Sequence, residues 1–191
     1  MISFSFISKF QLVFFLILST FICSPSLSAK QQFRFEHYSL EEGLSQSVVY
    51  SSVQDSQGYL WFTTQDGLNR FDGYRFKVYK HNKNESGTIS SNYGNILYID
   101  NEGTLWYGSI GGGISYYDRN SDIFIAYLHN ENDKNSLSGN DVKAIVEDDQ
   151  KNLWVGTANN GLNKFNSILN VSHKFNVKMI NSCLNSFWIE K

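Results

Sequence analysis

The chain has 191 residues, 16 basic and 18 acidic side chains, and a formal net charge of −2. That balance gives no basic footprint for nucleic acid and no polybasic patch for a membrane surface. Its two cysteines fall to one, Cys183, once the N-terminal segment is set aside, so neither an intramolecular disulfide nor a zinc or redox spacing can be built.

Residues 1–29 read as a signal peptide. Lys9 precedes the apolar run Phe10 to Cys23, and Ser24-Pro-Ser-Leu-Ser-Ala29 supplies small residues for cleavage. The run is short for a bilayer span, so an uncleaved anchor is the weaker reading. Cys23 follows Ile22 and Thr20 in a poor lipobox. The chain is expected to be exported, to the periplasm, and to meet the membrane only through this segment. Without it, 15 basic residues face 18 acidic ones, and no proline remains after Pro25.

Phe33 to Tyr38 then carries a Phe-x-x-Tyr pair with nothing before it to pair with. Because propellers close by letting one terminal strand complete the blade at the other end, residues 30–43 are expected to supply such an outer strand.

Residues 44–166 repeat one unit three times. Asp55, Asp100 and Asp148 each stand six residues before Trp61, Trp106 and Trp154, with a Leu just before each Trp. Gly67, Gly113 and Gly161 follow the tryptophans by six or seven residues, and an aromatic follows by ten or eleven. The tryptophans lie 45 and 48 residues apart, a period of repeat architectures and propeller blades. Within the first copy, β-branched and aromatic runs at 48–53, 59–64, 68–71 and 74–79 alternate with the turns Asp55 to Gly58, Gln65 to Gly67 and Asp72-Gly73. Four short strands joined by hairpins make one blade, so the fold class is all-β, with β-propeller blades of four antiparallel strands. The repeats divide as 44–88, 89–136 and 137–166, the last incomplete.

Three blades and one orphan strand fall short of the 4–8 of closed rings. Residues 167–191 carry no glycine, no Asp and no repeat, and read as off-pattern tail of a truncated or frame-shifted product rather than a capping repeat.

The recurring residues carry fold more readily than chemistry. A tryptophan ring could stack on a sugar or a cation, but recurrence at one position points to packing between blades. The three aspartates open turns and sit in no calcium loop, so no metal site is assigned. Thr63 stands where the other copies have Gly108 and Gly156, a departure expected to weaken the first blade's packing. His37, His81, His129 and His173 have no metal spacing, and His81 and His129 read as repeated surface positions. Gly111-Gly-Gly113 lacks the Lys-Ser/Thr of a phosphate loop. No catalytic constellation and no cofactor site is assigned.

The repeats resemble the two-component regulator propeller family. Leu44-Ser45, Asp55, Gly58, Leu60-Trp61, Gly67-Leu68 and Arg70-Phe71-Asp72-Gly73 carry the likeness in the first copy. Leu137-Ser138, Asp148, Leu153 to Thr157, Gly161-Leu162 and Phe165 carry it in the third. Lys151, Lys164 and Asn166 replace the Gly, Arg and Asp of the pattern. The resemblance implies the exported sensor part of a bacterial regulator with a histidine kinase or diguanylate cyclase output, neither of which is in this chain. It also implies a small-molecule or oligosaccharide ligand on a propeller face and no catalysis. A propeller lyase or hydrolase is the enzyme alternative; it would need His, Glu or metal ligands recurring on inner strands. A non-functional fragment, or an interaction protein whose copies complete the ring through open blade edges, are the others.

Residues 30–191 alone should therefore associate or aggregate. Light scattering on size-exclusion chromatography checks this, and a folded monodisperse monomer would contradict it.

Overall fold

A computed structural model describes residues 33–166 and the strand at 171–175, the latter by its backbone alone. The expected signal segment, residues 1–29, and the rest of the expected tail lie outside the described residues. The architecture below belongs to the unit that begins at His37. Among the described residues the regular structure is all strand, and no helix is long and apolar enough to cross a membrane.

Three four-stranded antiparallel sheets follow one another along the chain. The first contains β1 (Val49–Gln54), β2 (Leu60–Thr64), β3 (Gly67–Phe71) and β4 (Phe76–Tyr79). The second contains β5 (Gly94–Ile99), β6 (Leu105–Ser109), β7 (Ile114–Asp118) and β8 (Ile123–Tyr127). The third contains β9 (Val142–Glu147), β10 (Leu153–Thr157), β11 (Leu162–Asn166) and β12 (Val171–Phe175). Strands run in sequence order across each sheet, and the first strands β1, β5 and β9 adjoin one another. These are propeller blades with their first strands innermost.

Period-two alternation gives every blade two apolar faces, and neighbouring blades bury them against each other. Trp61 and Leu68 of the first blade pack with Leu97, Leu105, Tyr107, Tyr117 and Phe124 of the second. Trp106 and Ile114 of the second pack with Val142, Ile145, Leu153, Val155 and Phe165 of the third. The aromatic contacts repeat: Trp61 lies 5.0 Å from Tyr117, and Trp106 lies 5.6 Å from Phe165, centroid to centroid. Burial of such a side chain stabilises by roughly 1.5–3 kcal/mol.

Two boundaries differ from those read in the sequence. The third blade does not stop at residue 166; Val171–Phe175 pairs along β11 with Lys164 opposite His173. This strand sits inside the expected off-pattern tail. It is hidden in the sequence because the Asp72-Gly73 turn before the first blade's fourth strand, and the aspartates Asp118 and Asp122 before the second's, have no counterpart there. Residues 33–38 carry no strand. Tyr38 nevertheless packs edge-on against Phe71 at 5.0 Å and Phe76 at 6.2 Å. Tyr79 meets Tyr117 at 6.0 Å and Phe124 at 5.3 Å in the corresponding way. A strand needs a hydrogen-bonded neighbour, and the ring contact alone does not supply one.

The expected weakness at Thr63 is offset. Gly108 leaves room for the second and third blades to close, since a Cβ there would meet Ile96 and Val142 side chains at 2.6 Å. In the first blade the volumes are exchanged: Thr63 is fully buried, and Gly94, in the register position of Val142, makes room for it. A Cβ on Gly94 would fall 2.8 Å from that of Thr63. The remaining cost is polar, because the Thr63 hydroxyl is buried without a hydrogen-bond partner. Thr63→Val keeps the shape and removes that hydroxyl, so it should stabilise the chain by about 1 kcal/mol, read as a higher denaturant midpoint at unchanged slope.

Candidate ligand face of the propeller

The repeated residues assemble a device at one end of each blade. In the turn from β1 to β2, one Asp55 oxygen accepts the backbone N–H groups of Gln57 and Tyr59, both at 3.0 Å. The other accepts the Trp61 indole N–H at 2.9 Å. Asp100 holds Glu102, Thr104 and Trp106 the same way, its indole bond being 2.8 Å. Asp148 holds Gln150, Asn152 and Trp154, again with 2.8 Å to the indole. A six-residue spacing across a tight hairpin brings carboxylate and indole together, so the aspartates cap turns and orient core rings. Arg119 of the second blade adds an ion pair to Asp55 at 3.1 Å, tying the two blades. Trp61 is completely buried and Trp106 nearly so, while Trp154, whose ring has Lys164 at 5.6 Å, is half-buried.

Gly67, Gly113 and Gly161 open the third strands with φ of 114°, 62° and 82°. Space as well as φ excludes a side chain: a Cβ on Gly113 would lie 2.3 Å from the Tyr127 carbonyl oxygen. Two of their N–H groups hold the linkers between blades, Gly67 donating to the Asn92 carbonyl and Gly113 to that of Asn140.

His81 and His129 are part of those linkers, which corrects their reading as surface positions. Each ring Nδ1 meets a backbone carbonyl, Ile89 at 2.7 Å and Leu137 at 2.6 Å. A carbonyl only accepts, so each Nδ1 carries a proton. Their backbone N–H groups donate to Asn92 and Asn140 side chains. Among the described residues no three His, Cys, Asp or Glu side chains converge as a metal site would require.

The opposite end of the blades looks different. In an antiparallel blade the β2–β3 hairpin and the interblade linker share one end. There the innermost strand bulges at the same point in all three blades, at Tyr50, Asn95 and Lys143. A bulge re-aims the side chain of its extra residue, and here the scaffold repeats while the chemistry changes. Tyr50 and Tyr93 stand together, 41% and 39% exposed, with ring centroids 5.7 Å apart. Their hydroxyls are 3.3 Å apart, and the Gln65 amide donates to both. Hydrogen bonds with Tyr93 and Gln65, and the charge of Lys143, hold the Tyr50 phenol below its ordinary pKa, while the bond to Tyr50 raises that of Tyr93. Asn95 instead donates to the Val142 carbonyl at 2.9 Å. The repeat motif does not single these residues out. In the three copies the bulge residues fall midway between the recurring serine (Ser45, Ser90, Ser138) and the recurring aspartate (Asp55, Asp100, Asp148), in a stretch whose residues vary.

Three consecutive blades define this chain as a β-propeller repeat protein. A family model described as two component regulator propeller matches residues 43–66 and 136–159. The extracellular domain of the putative hybrid two component system BT3049 from B. thetaiotaomicron is 33% identical, with a TM-score of 0.70 over 74% of this chain and 20% of that one. Histidine kinase P4 of Formosa agariphila is 42% identical over 78 residues, 41% of this chain and 6% of the kinase. Parts of the first and third repeats thus match the two-component regulator propeller model, and the chain spans a small part of those relatives. Virginiamycin B lyase of Staphylococcus aureus, in a catalytically inactive form crystallised with quinupristin, has a TM-score of 0.52 over 73% of this chain and 45% of the lyase, at 14% identity, a likeness of fold alone.

The turn device has a pH signature. Burial opposes the charge of Asp148, but the bonds from Trp154, Asn152 and Gln150 outweigh it and bring its pKa down to about 2. A depressed carboxylate stabilises the fold above its unfolded pKa and loses that contribution as pH falls through the folded one. Stability should decline from about pH 5 to about pH 2, and Asp148→Asn should flatten the slope while lowering stability at neutral pH. Denaturation midpoints across that range check it; an unchanged slope would contradict it.

Proposed function

We propose that this chain is part of the exported sensor region of a bacterial signal-transduction receptor, acting by binding and not by catalysis. The observation that carries this reading is the likeness to the BT3049 extracellular domain, at 33% identity over 74% of this chain. The apolar run from Phe10 to Cys23 and the small residues up to Ala29 support export to the periplasm. The device residues support a binding role by elimination: the aspartates, tryptophans, glycines and histidines of the repeat are occupied in turns, core and linkers. The bulge recurs at one position while its residue changes from blade to blade, and a rigid scaffold with variable side chains at one end suits recognition. A ligand there biases the relative position of blades, and an output domain elsewhere in such a receptor reads that bias. Small molecules, oligosaccharides among them, are the ligands this reading calls for.

Fusion of alkaline phosphatase after residue 191 tests export, because the enzyme is active only outside the cytoplasm. The full chain should give an active fusion, and Leu16→Arg with Leu18→Arg should abolish it. Activity that survives both substitutions, or none from the parent, would overturn the assignment.

A further inference from the structure

The hairpins β2–β3, β6–β7 and β10–β11 occupy the same place in their blades, yet the residue before the turn glycine differs in each. Asp66 precedes Gly67, Gly112 precedes Gly113, and Asn160 precedes Gly161. Of the 14 glycines in the chain, only Gly161 follows an asparagine. The pair suits a hairpin, with glycine taking the φ of 82° that closes the loop. It also carries a reactivity that the other two lack. With no Cβ on the following residue, that residue's backbone nitrogen can approach the asparagine Cγ.

The structure leaves Asn160 open to this approach. Its side chain is exposed at the end of the blade and not on a face. Asp66 holds the equivalent place in the first blade and is exposed although the second blade adjoins it, so a neighbouring blade does not decide the exposure. The Asn160 carboxamide forms no hydrogen bond with any described residue. The asparagines that build turns and linkers are different, since Asn69, Asn92, Asn140, Asn152 and Asn163 all have bonded carboxamides. The Asn160 side chain rests on bare backbone, where a Cβ on Gly139 would lie 2.5 Å from its Oδ1 and 2.8 Å from its Cγ. Asp66-Gly67 and Asp72-Gly73 offer carboxylates, poorer electrophiles than a carboxamide, and Lys80 and Arg75 pair with them at 2.5 Å and 3.4 Å.

We propose that Asn160 is a site of spontaneous covalent modification, in which the Gly161 backbone nitrogen attacks the Asn160 Cγ. The new N–Cγ bond closes a succinimide ring as the Cγ–Nδ2 bond breaks. Nδ2 leaves as ammonia, taking the proton of the attacking nitrogen. Solvent water then opens the ring at either carbonyl carbon, and nothing is oxidised or reduced. Opening at Cγ gives aspartate. Opening at the main-chain carbon gives isoaspartate, whose backbone is longer by one carbon.

The fold treats these products unequally. The first blade already carries an aspartate at this place, so the hairpin accepts one. Isoaspartate lengthens the loop between Thr157 and Gly161, where the Thr157 N–H and hydroxyl both donate to the Gly161 carbonyl at 2.9 Å. Ala158, in the same loop, donates to the Asp141 carbonyl at 2.8 Å. Isoaspartate therefore loosens the third blade and its hold on the linker before β9. This inference does not rest on the receptor reading.

The test is incubation of the purified full chain at neutral and mildly alkaline pH, with tryptic mass spectrometry of residues 152–164. Near-ultraviolet circular dichroism from Trp61 and Trp106 verifies that the chain stays folded. The peptide should gain the mass difference between an amide and an acid, faster as hydroxide rises, and the change should map to Asn160. An isoaspartyl methyltransferase should label part of the product. Asn160→Gln, which would have to close a larger ring, should convert at least about tenfold more slowly, a barrier higher by ~1.4 kcal/mol. Asn160→Asp should keep the parent's denaturation midpoint, and the isoaspartate form, separated by ion exchange, should unfold at lower denaturant. The chain in guanidinium chloride gives the unfolded rate. Conversion there with none in native buffer would show that the fold protects Asn160, and would overturn the proposal. Conversion spread evenly over Asn159, Asn160 and Asn163, or undiminished in Asn160→Gln, would overturn it equally.

Discussion

The bond from a tryptophan indole to an aspartate six residues earlier is the constraint on which the rest depends. It joins two requirements that would otherwise be independent: the β1–β2 type hairpin must close, and the central ring of the blade must face its neighbour. One carboxylate does both, since one oxygen takes the turn N–H groups and the other the indole at 2.8 to 2.9 Å. A buried indole N–H without an acceptor would cost on the order of 1–3 kcal/mol, so the acceptor is as necessary as the ring. Once the ring is oriented, the face of the next blade is defined, and the interblade contact repeats from Trp61 to Trp106.

Departures from the repeat are tolerated where a neighbour compensates and cost stability where none does. Thr63 is accommodated because Gly94 yields the volume. Lys151 takes the place of Gly58 and Gly103 in the third turn and keeps a left-handed φ of 62°, a strain that a side chain bears poorly. Its ion pair with Glu102, at 3.4 Å between two exposed groups, returns little of that. The third blade thus carries the least ideal copy of the device, and its Trp154 is the least buried of the three rings.

The two ends of the blades divide the work. At the β1–β2 hairpin end, residue identities recur because geometry demands them: a carboxylate, an indole, a turn that closes on both. At the linker end the backbone bulges recur, yet the side chains they aim are Tyr50, Asn95 and Lys143. Asn95 is absorbed by the scaffold through the Val142 carbonyl. Tyr50 bonds instead to the side chains of Gln65 and Tyr93.

Much of this was legible in the chain itself. Alternation and turn residues specify the four strands of the first two blades, because hairpins are local and their signals lie within a few residues. The Asp-to-Trp spacing of six is likewise local, and places carboxylate and indole at one hairpin whatever surrounds it. Three things belonged to the tertiary structure. The strand Val171–Phe175 is defined by pairing along β11 and not by its own punctuation. The exchange of volume between Thr63 and Gly94 joins residues 31 apart in sequence on different blades. The meeting of Tyr50, Gln65 and Tyr93 joins the first blade to the linker before the second. Such contacts are set by how sheets lie against one another and by where a bulge turns a side chain, and no local spacing encodes either.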